Sequence, residues 1–267
     1  MKNKSLFVLV FFILSFNGFS QDCSTQKSIS DDAICLGQTA SIVLSSSELN
    51  VTYTLREGTT DISEQTKIGT GGDLIFNINP TTTTTYNVFV VECGFSYSDL
   101  ATVTVSPIPD VVASITSQTV CSGESLSPIT LSGSIPGTTF NWSRNNTTRV
   151  TGLAASGSGD ITGILYNTTT IPRTVVFTIT PILNGCNGTP ITVHVIVNPE
   201  IIITSANTTF QRCSNTSTTF TGVASNISGT TYSWTRDNLT NVTNIAENGS
   251  GLNIGIPINN TFISQTV

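Results

Sequence analysis

Residues 176–199 read VFTITPILNGCNGTPITVHVIVNP. Apolar and polar side chains alternate on both sides of Asn184-Gly185-Cys186-Asn187-Gly188. Period-two alternation marks a strand with one buried face, and Asn-Gly supplies the left-handed backbone of a tight turn. The segment is therefore expected to be a β-hairpin with Cys186 in its turn.

Upstream of it the same signals recur. Residues 111–119, 129–134, 139–143, 161–166, 174–181 and 189–197 are strand candidates separated by Gly, Asn, Ser and Pro. Six or seven short strands in about 90 residues, without helical periodicity, imply an antiparallel β-sandwich.

The sequence then repeats. With a shift of 92, residues 121–175 lie on 213–267 without a gap, and 24 of 55 positions are identical. Cys121 falls on Cys213, Trp142 on Trp234, Arg144 on Arg236 and Asn167 on Asn259, and Gly157-Ser158-Gly159 falls on Gly249-Ser250-Gly251. These are two copies of one unit. The second copy lacks equivalents of residues 176–199, so its final hairpin is expected beyond Val267, in a longer protein of which this chain is the N-terminal piece. Cys35 in AICLGQ and Cys93 in ECGFSYSD mark a looser relative of the unit nearer the N-terminus. Boundaries fall at Pro107-Ile108-Pro109 and Asn198-Pro199, where proline cannot continue a sheet ladder.

Composition agrees with strands and excludes several functions. Thr, Ser and Asn supply 46, 32 and 23 of the 267 residues, and only 10% are charged. Helical bundles need the charged helix formers that are scarce here. With 10 Lys and Arg against 16 Asp and Glu, the chain cannot displace counterions as a nucleic-acid binder must. Lys2 and Lys4, the apolar run Leu6–Leu14 and the small residues Gly18 and Ser20 form a secretory signal peptide over residues 1–20. That run is too short to span a bilayer, and no second apolar run of membrane length follows.

Export places the six cysteines in an oxidising compartment. No C-x-x-C or Cys/His cluster suggests metal. Matched places in successive units suggest the bridges Cys121–Cys186 and, by analogy, Cys35–Cys93, each worth roughly 4 kcal/mol of loop-closure entropy. Cys213 and Cys23 stay unpaired or unassigned.

Trp142 and Trp234 admit two readings, a ligand-stacking platform or a core aromatic. Their fixed offset from the cysteine and their place at the end of an alternating strand favour the core. Gly157-Ser158-Gly159 lacks the lysine and helix of a phosphate loop and reads as a turn or bulge. His194, the one histidine, sits mid-strand with no partner for catalysis or metal. Asp31, Asp32 and Asp110 lie near domain joints but lack calcium-loop spacing. No nucleophile elbow, zinc-protease helix or paired-carboxylate pattern occurs. The expectation is of no catalytic residue, no cofactor site and no metal site.

Val120-Cys121-Ser122-Gly123, Phe140-Asn141-Trp142, Gly152-Leu153, Gly157-Ser158-Gly159-Asp160-Ile161, Phe177-Thr178-Ile179-Thr180-Pro181, Asn184-Gly185-Cys186-Asn187-Gly188 and Val195-Ile196-Val197-Asn198-Pro199 together resemble the PKD-like repeats of large exported bacterial surface proteins. Those proteins resemble gliding-motility-associated adhesins carried by type IX secretion. The resemblance covers residues 109–267, and residues 22–107 more loosely resemble accompanying Ig-like modules. Trp142 is followed by Ser143-Arg144-Asn145, not by the Asp- and Gly-rich motif of true PKD domains, so no calcium role carries over.

The resulting expectation is an all-β chain of tandem Ig-like (PKD-like) antiparallel β-sandwiches after a signal peptide. Its parts are a signal peptide at 1–20, an Ig-like sandwich at 21–107, a PKD-like sandwich at 108–199 and a C-terminally incomplete PKD-like sandwich at 200–267. The expected function is non-catalytic: a cell-surface or secreted adhesin or stalk segment. It would present a distal binding part to a glycan or protein on an extracellular surface, beside neighbouring repeats. The alternative is a spacer in an exported polysaccharide hydrolase or protease.

Overall fold

A computed structural model describes residues 26–205, 214–215, 218–219, 223–255 and 258–259. Residues 1–20, Cys23 and Cys213, and the expectations resting on them, lie outside the described residues. All regular structure among the described residues is β. The chain divides into two compact units, Met1–Ile108 and Pro109–Val267.

The first unit contains β1 (Asp32–Cys35), β2 (Ala40–Leu44), β3 (Thr52–Glu57), β4 (Thr60–Ile68), β5 (Leu74–Ile78), β6 (Thr84–Val90), β7 (Phe95–Ser96) and β8 (Ala101–Ser106). Five strands form a sheet in the order β1-β8-β6-β3-β4, with β7 paired to β6, and β2-β5 forms the facing layer. Alternation explains the two layers. Ile42, Leu44, Phe76 and Ile78 point inward from β2 and β5, meeting Tyr53, Leu55, Val88 and Val103 of the larger sheet.

In the second unit, residues 109–199 contain β9 (Val112–Ala113), β10 (Ser117–Cys121), β11 (Leu131–Ser132), β12 (Thr139–Arg144), β13 (Val150–Thr151), β14 (Ser156–Ser158), β15 (Tyr166–Asn167), β16 (Arg173–Leu183), β17 (Cys186–Asn187) and β18 (Ile191–Asn198). The sheet order β10-β18-β16-β12-β14, with β17 on β16, reproduces the first unit strand for strand. The short ladders β9-β11 and β13-β15 lie outside this sheet. Val175, Phe177, Ile179, Val193, Val195 and Val197 of the hairpin are fully buried. The hairpin that decides the fold is thus the centre of the core.

Pairing is antiparallel except at one place in each large sheet: β1 runs parallel to β8, and β10 parallel to β18. The candidate 111–119 divides between β9 and β10, which join different sheets. Residues 161–166 make mainly isolated bridges, Ile129 with Ile161 and Ser125 with Ile164. Gly163 inside that segment has a φ of 139°, which no regular strand accommodates.

Beyond residue 200 three ladders repeat earlier ones at the 92-residue shift. Ala113 opposite Leu131 becomes Ser205 opposite Val223. Trp142 opposite Gly157 becomes Trp234 opposite Gly249, and Val150 opposite Asn167 becomes Val242 opposite Asn259. The sequence repeat is therefore a repeat of strand register.

Candidate functional site

The most constructed feature of each unit is a four-residue turn after its first sheet strand. In Cys35-Leu36-Gly37-Gln38, the Cys35 N–H donates to Gln38 Oε1 at 3.0 Å and the Gln38 N–H donates to the Cys35 carbonyl at 2.9 Å. In Cys121-Ser122-Gly123-Glu124, the Cys121 N–H donates to Glu124 Oε2 at 3.1 Å and the Glu124 N–H to the Cys121 carbonyl at 3.1 Å. Gly37 and Gly123 sit at φ of 88° and 87°, where a side chain is strained. The next amide anchors the turn to the last strand: Leu36 N–H to Ser106 O and Ser122 N–H to Asn198 O, both 2.9 Å. Below the second turn, Asn167 is buried and fully satisfied. Its amide donates to the Ile171 and Val197 carbonyls, each at 2.8 Å, and its backbone N–H donates to Ser122 Oγ at 3.0 Å.

The two turns differ in their sulfurs. Cys35 is disulfide-bonded, as are Cys93 and Cys186. Cys121 is a free, exposed thiol. The expected Cys121–Cys186 bridge is therefore corrected. Cys121 lies opposite Asn198, whereas Cys186 lies opposite Leu183, at the far end of the eleven-residue β16. The expected Cys35–Cys93 pair meets the same obstacle. Cys35 lies opposite Ser106, while Cys93 follows Val90 at the other end of β6. The register puts them roughly 30 Å apart at strand rise, against the less than about 7 Å between Cα atoms that a disulfide tolerates.

The other conspicuous residues build structure. Trp142 is 8% exposed and packs edge-to-face on Phe177, with ring centroids 5.7 Å apart. A Cβ on Gly157 would meet its ring at 2.3 Å, and one on Gly249 would meet the Trp234 ring at 2.5 Å. The first glycine of each Gly-Ser-Gly triplet is there to let an indole lie on the edge strand. The second turns the chain, with φ of 71° at Gly159 and 78° at Gly251. Both indole N–H groups are buried without a hydrogen-bond partner. A sugar platform needs an exposed ring, so Trp142 is core.

Arg144 and Arg236 coincide at the 92-residue shift, and their residue type alone marks no role. Arg144 Nε donates to the Leu153 and Ala154 carbonyls at 3.1 and 2.9 Å, and its Nη1 donates to the Val150 carbonyl at 3.0 Å. Arg236 repeats the pattern on Ala246, Val242 and Ile245 at 2.8, 2.8 and 2.9 Å. Burial lowers the Arg144 pKa, yet guanidinium stays charged at any ordinary pH. Each arginine gathers three backbone carbonyls of the segment that follows its strand. The signal available in sequence was a fixed offset from tryptophan.

His194 is exposed on β18, opposite Val176 and Ser117. Asp31 accepts the Thr102 N–H, Asp32 the Ser41 N–H, and Asp110 the N–H and hydroxyl of Ser134, at 2.7 to 2.8 Å. These carboxylates cap backbone. Among the described residues no group of three His, Cys, Asp or Glu could hold a metal ion. Surface depressions of about 360 and 270 Å³ lie in the first unit, one lined by Gln26, Lys27, Ser98 and Asp99, the other by Ile62, Gln65, Asn77 and Tyr86. No described helix is long and apolar enough to cross a membrane.

A family model for the PKD-like domain matches residues 118–201. No curated protein matches the chain. Among solved structures, the chain is similar to the I-band fragment I67–I69 from titin, at TM-score 0.45 and 10% identity over 88% of this chain and 87% of that one. It is also similar to DIP-gamma IG1+IG2 (TM-score 0.37, 10% identity, 64% and 94% covered) and to fibronectin(III)-like modules of Clostridium thermocellum CbhA (0.35, 13%, 65% and 95%). The fold is a tandem of Ig-like, PKD-like β-sandwiches.

Proposed function

We propose that the chain is a non-catalytic segment of an exported surface protein, built of three tandem sandwiches at 21–107, 108–199 and 200–267, that serves as an adhesin or stalk. The observation that carries this reading is repetition of structure without repetition of a site. Strand register, the tryptophan-on-glycine contact and the arginine clasp recur at a shift of 92. What recurs is what holds a sandwich together, and that is the signature of spacing or presentation. The disulfides suit an oxidising exterior.

Single-molecule pulling tests the mechanical part. Separate unfolding steps for successive sandwiches are expected, and one cooperative rupture of the whole chain overturns the stalk reading. Antibody against residues 109–199 should label intact cells, and labelling only after lysis overturns export.

A further inference from the structure

Strand β4 departs from β3 in its middle. The two pair at Thr60 and Asp61 and again from Thr66 to Ile68, and the register breaks between. Glu64 there takes a φ of 61°, a left-handed backbone that strains a residue with a side chain. A bulge of this kind re-aims the side chains beside it. Its neighbours Ser63 and Gln65 line the cleft of about 270 Å³, with Asn77 and Asn79 across from them and Ile78 and Pro80 as its apolar wall. No residue that lines it is charged.

Gln65 Oε1 is buried with no hydrogen-bond partner among the described residues. A buried amide oxygen without a donor destabilises a fold, so native structures rarely keep one. On the other wall the Ser41 hydroxyl donates to Asn77 Oδ1 at 3.0 Å. That contact uses the acceptor of Asn77, and the amide N–H groups are its donors.

We propose that this cleft binds one neutral sugar residue, with Gln65 accepting a hydrogen bond from a ligand hydroxyl. A strained bulge, a cavity and an unmatched acceptor meet here, and functional sites are where a sequence breaks such rules together. Neighbouring sugar hydroxyls donate and accept at once, which matches a set of primary amides, and the C–H face of the ring suits Ile78 and Pro80. A phosphate, carboxylate or ammonium would lose its water with no opposite charge to replace it. The volume falls below the roughly 300 Å³ at which drug-sized pockets begin, which fits a single ring. Such a site would make the first unit a binding module in its own right, whatever pulling shows of the tandem.

The test titrates full-length chain with glucose, galactose and N-acetylglucosamine while amide resonances are followed by NMR. At least one sugar should give saturable shifts confined to residues 62–65 and 77–79 and to the Gln65 side-chain amide. No saturable shift with any of the three, or the same shifts with glycerol at equal concentration, overturns the proposal. The disaccharide of the sugar that binds then separates its sources: retained binding assigns the end of a polysaccharide, and lost binding a free sugar. Gln65→Met should weaken binding at least about tenfold, the worth of one hydrogen bond to a buried group. It should also raise the denaturation midpoint of residues 26–106, because the unmatched oxygen is gone. A lowered midpoint would show that Gln65 serves the fold and overturns its role. Asn79→Ala, at an exposed position after β5, should weaken binding severalfold and leave the midpoint in place. Unchanged binding in both variants overturns the site.

Discussion

Residues 26–106 and 109–199 reach one sheet order by different means. In the first, Tyr53 fills the core from β3, wholly buried, with its hydroxyl accepting the Glu48 N–H at 3.0 Å. Its edge strand β4 has nine residues and is held by Arg56, which pairs with Asp61 and lies 3.4 Å over the Phe89 ring. In the second, Trp142 fills the core from β12 with no partner for its N–H, and the edge strand β14 is three residues of Ser-Gly-Ser. A long edge can carry its own side-chain contacts. A short one needs a ring laid across it and a clasp behind it. Topology is thus the common property, and the means of filling it are local.

Removing the ring should break the comparison most severely. Trp142→Ala is expected to cost about 3–5 kcal/mol, because it opens a large cavity under a three-residue edge. Chemical denaturation should show the loss in the transition of residues 109–199 and not in that of 26–106. Trp142→Phe should cost only about 1 kcal/mol, since the indole N–H it deletes has no partner to strand. Tyr53→Phe, by contrast, strands the Glu48 N–H and should cost about 1–2 kcal/mol in the first unit. If Trp142→Phe proves as damaging as Trp142→Ala, the indole N–H makes a bond that the packing does not show.

The clasp comes next. Arg144→Met keeps much of the volume but leaves the Val150, Leu153 and Ala154 carbonyls without their donor, at about 2–3 kcal/mol. Arg144→Lys should recover less than half of that, because an ammonium cannot fork across three carbonyls. Full rescue by lysine would show that charge alone holds the loop.

The fold was legible because strand patterning is local. Alternation across 174–197 marks the buried face residue by residue, and a 92-residue repeat carries its register with it. The cysteine pairs were not legible, because sequence separation says nothing about which end of a sheet a residue reaches. Val90 to Cys93 and Leu183 to Cys186 look like returns toward the first strand until the parallel pairings of β1 with β8 and β10 with β18 are known. Those pairings place the first cysteine beside the end of the last strand. The arginine clasp escaped for a related reason. Its partners are backbone carbonyls, which leave no residue type to recognise.

The smallest effect expected is an acid-dependent one. Asp110, at the start of the second unit, is held below the usual carboxylate range by the Ser134 N–H and then by the Ser134 hydroxyl. In the first unit Glu92 is also lowered: burial works against it, but hydrogen bonds from Thr52 prevail. A carboxylate whose folded pKa lies below its unfolded one stabilises the fold fully above the unfolded value, near pH 4. The contribution falls away as pH drops from the unfolded pKa through the folded one, because over that window the unfolded chain takes up the proton more readily than the folded chain. Asp110→Asn should therefore lower the denaturation midpoint of residues 109–199 slightly at pH 7 and leave it matching the native chain near pH 2. The midpoint of residues 26–106 should keep its acid dependence throughout. An Asp110→Asn chain whose second transition loses as much stability on acidification as the native one would show that the Ser134 contact carries no linkage.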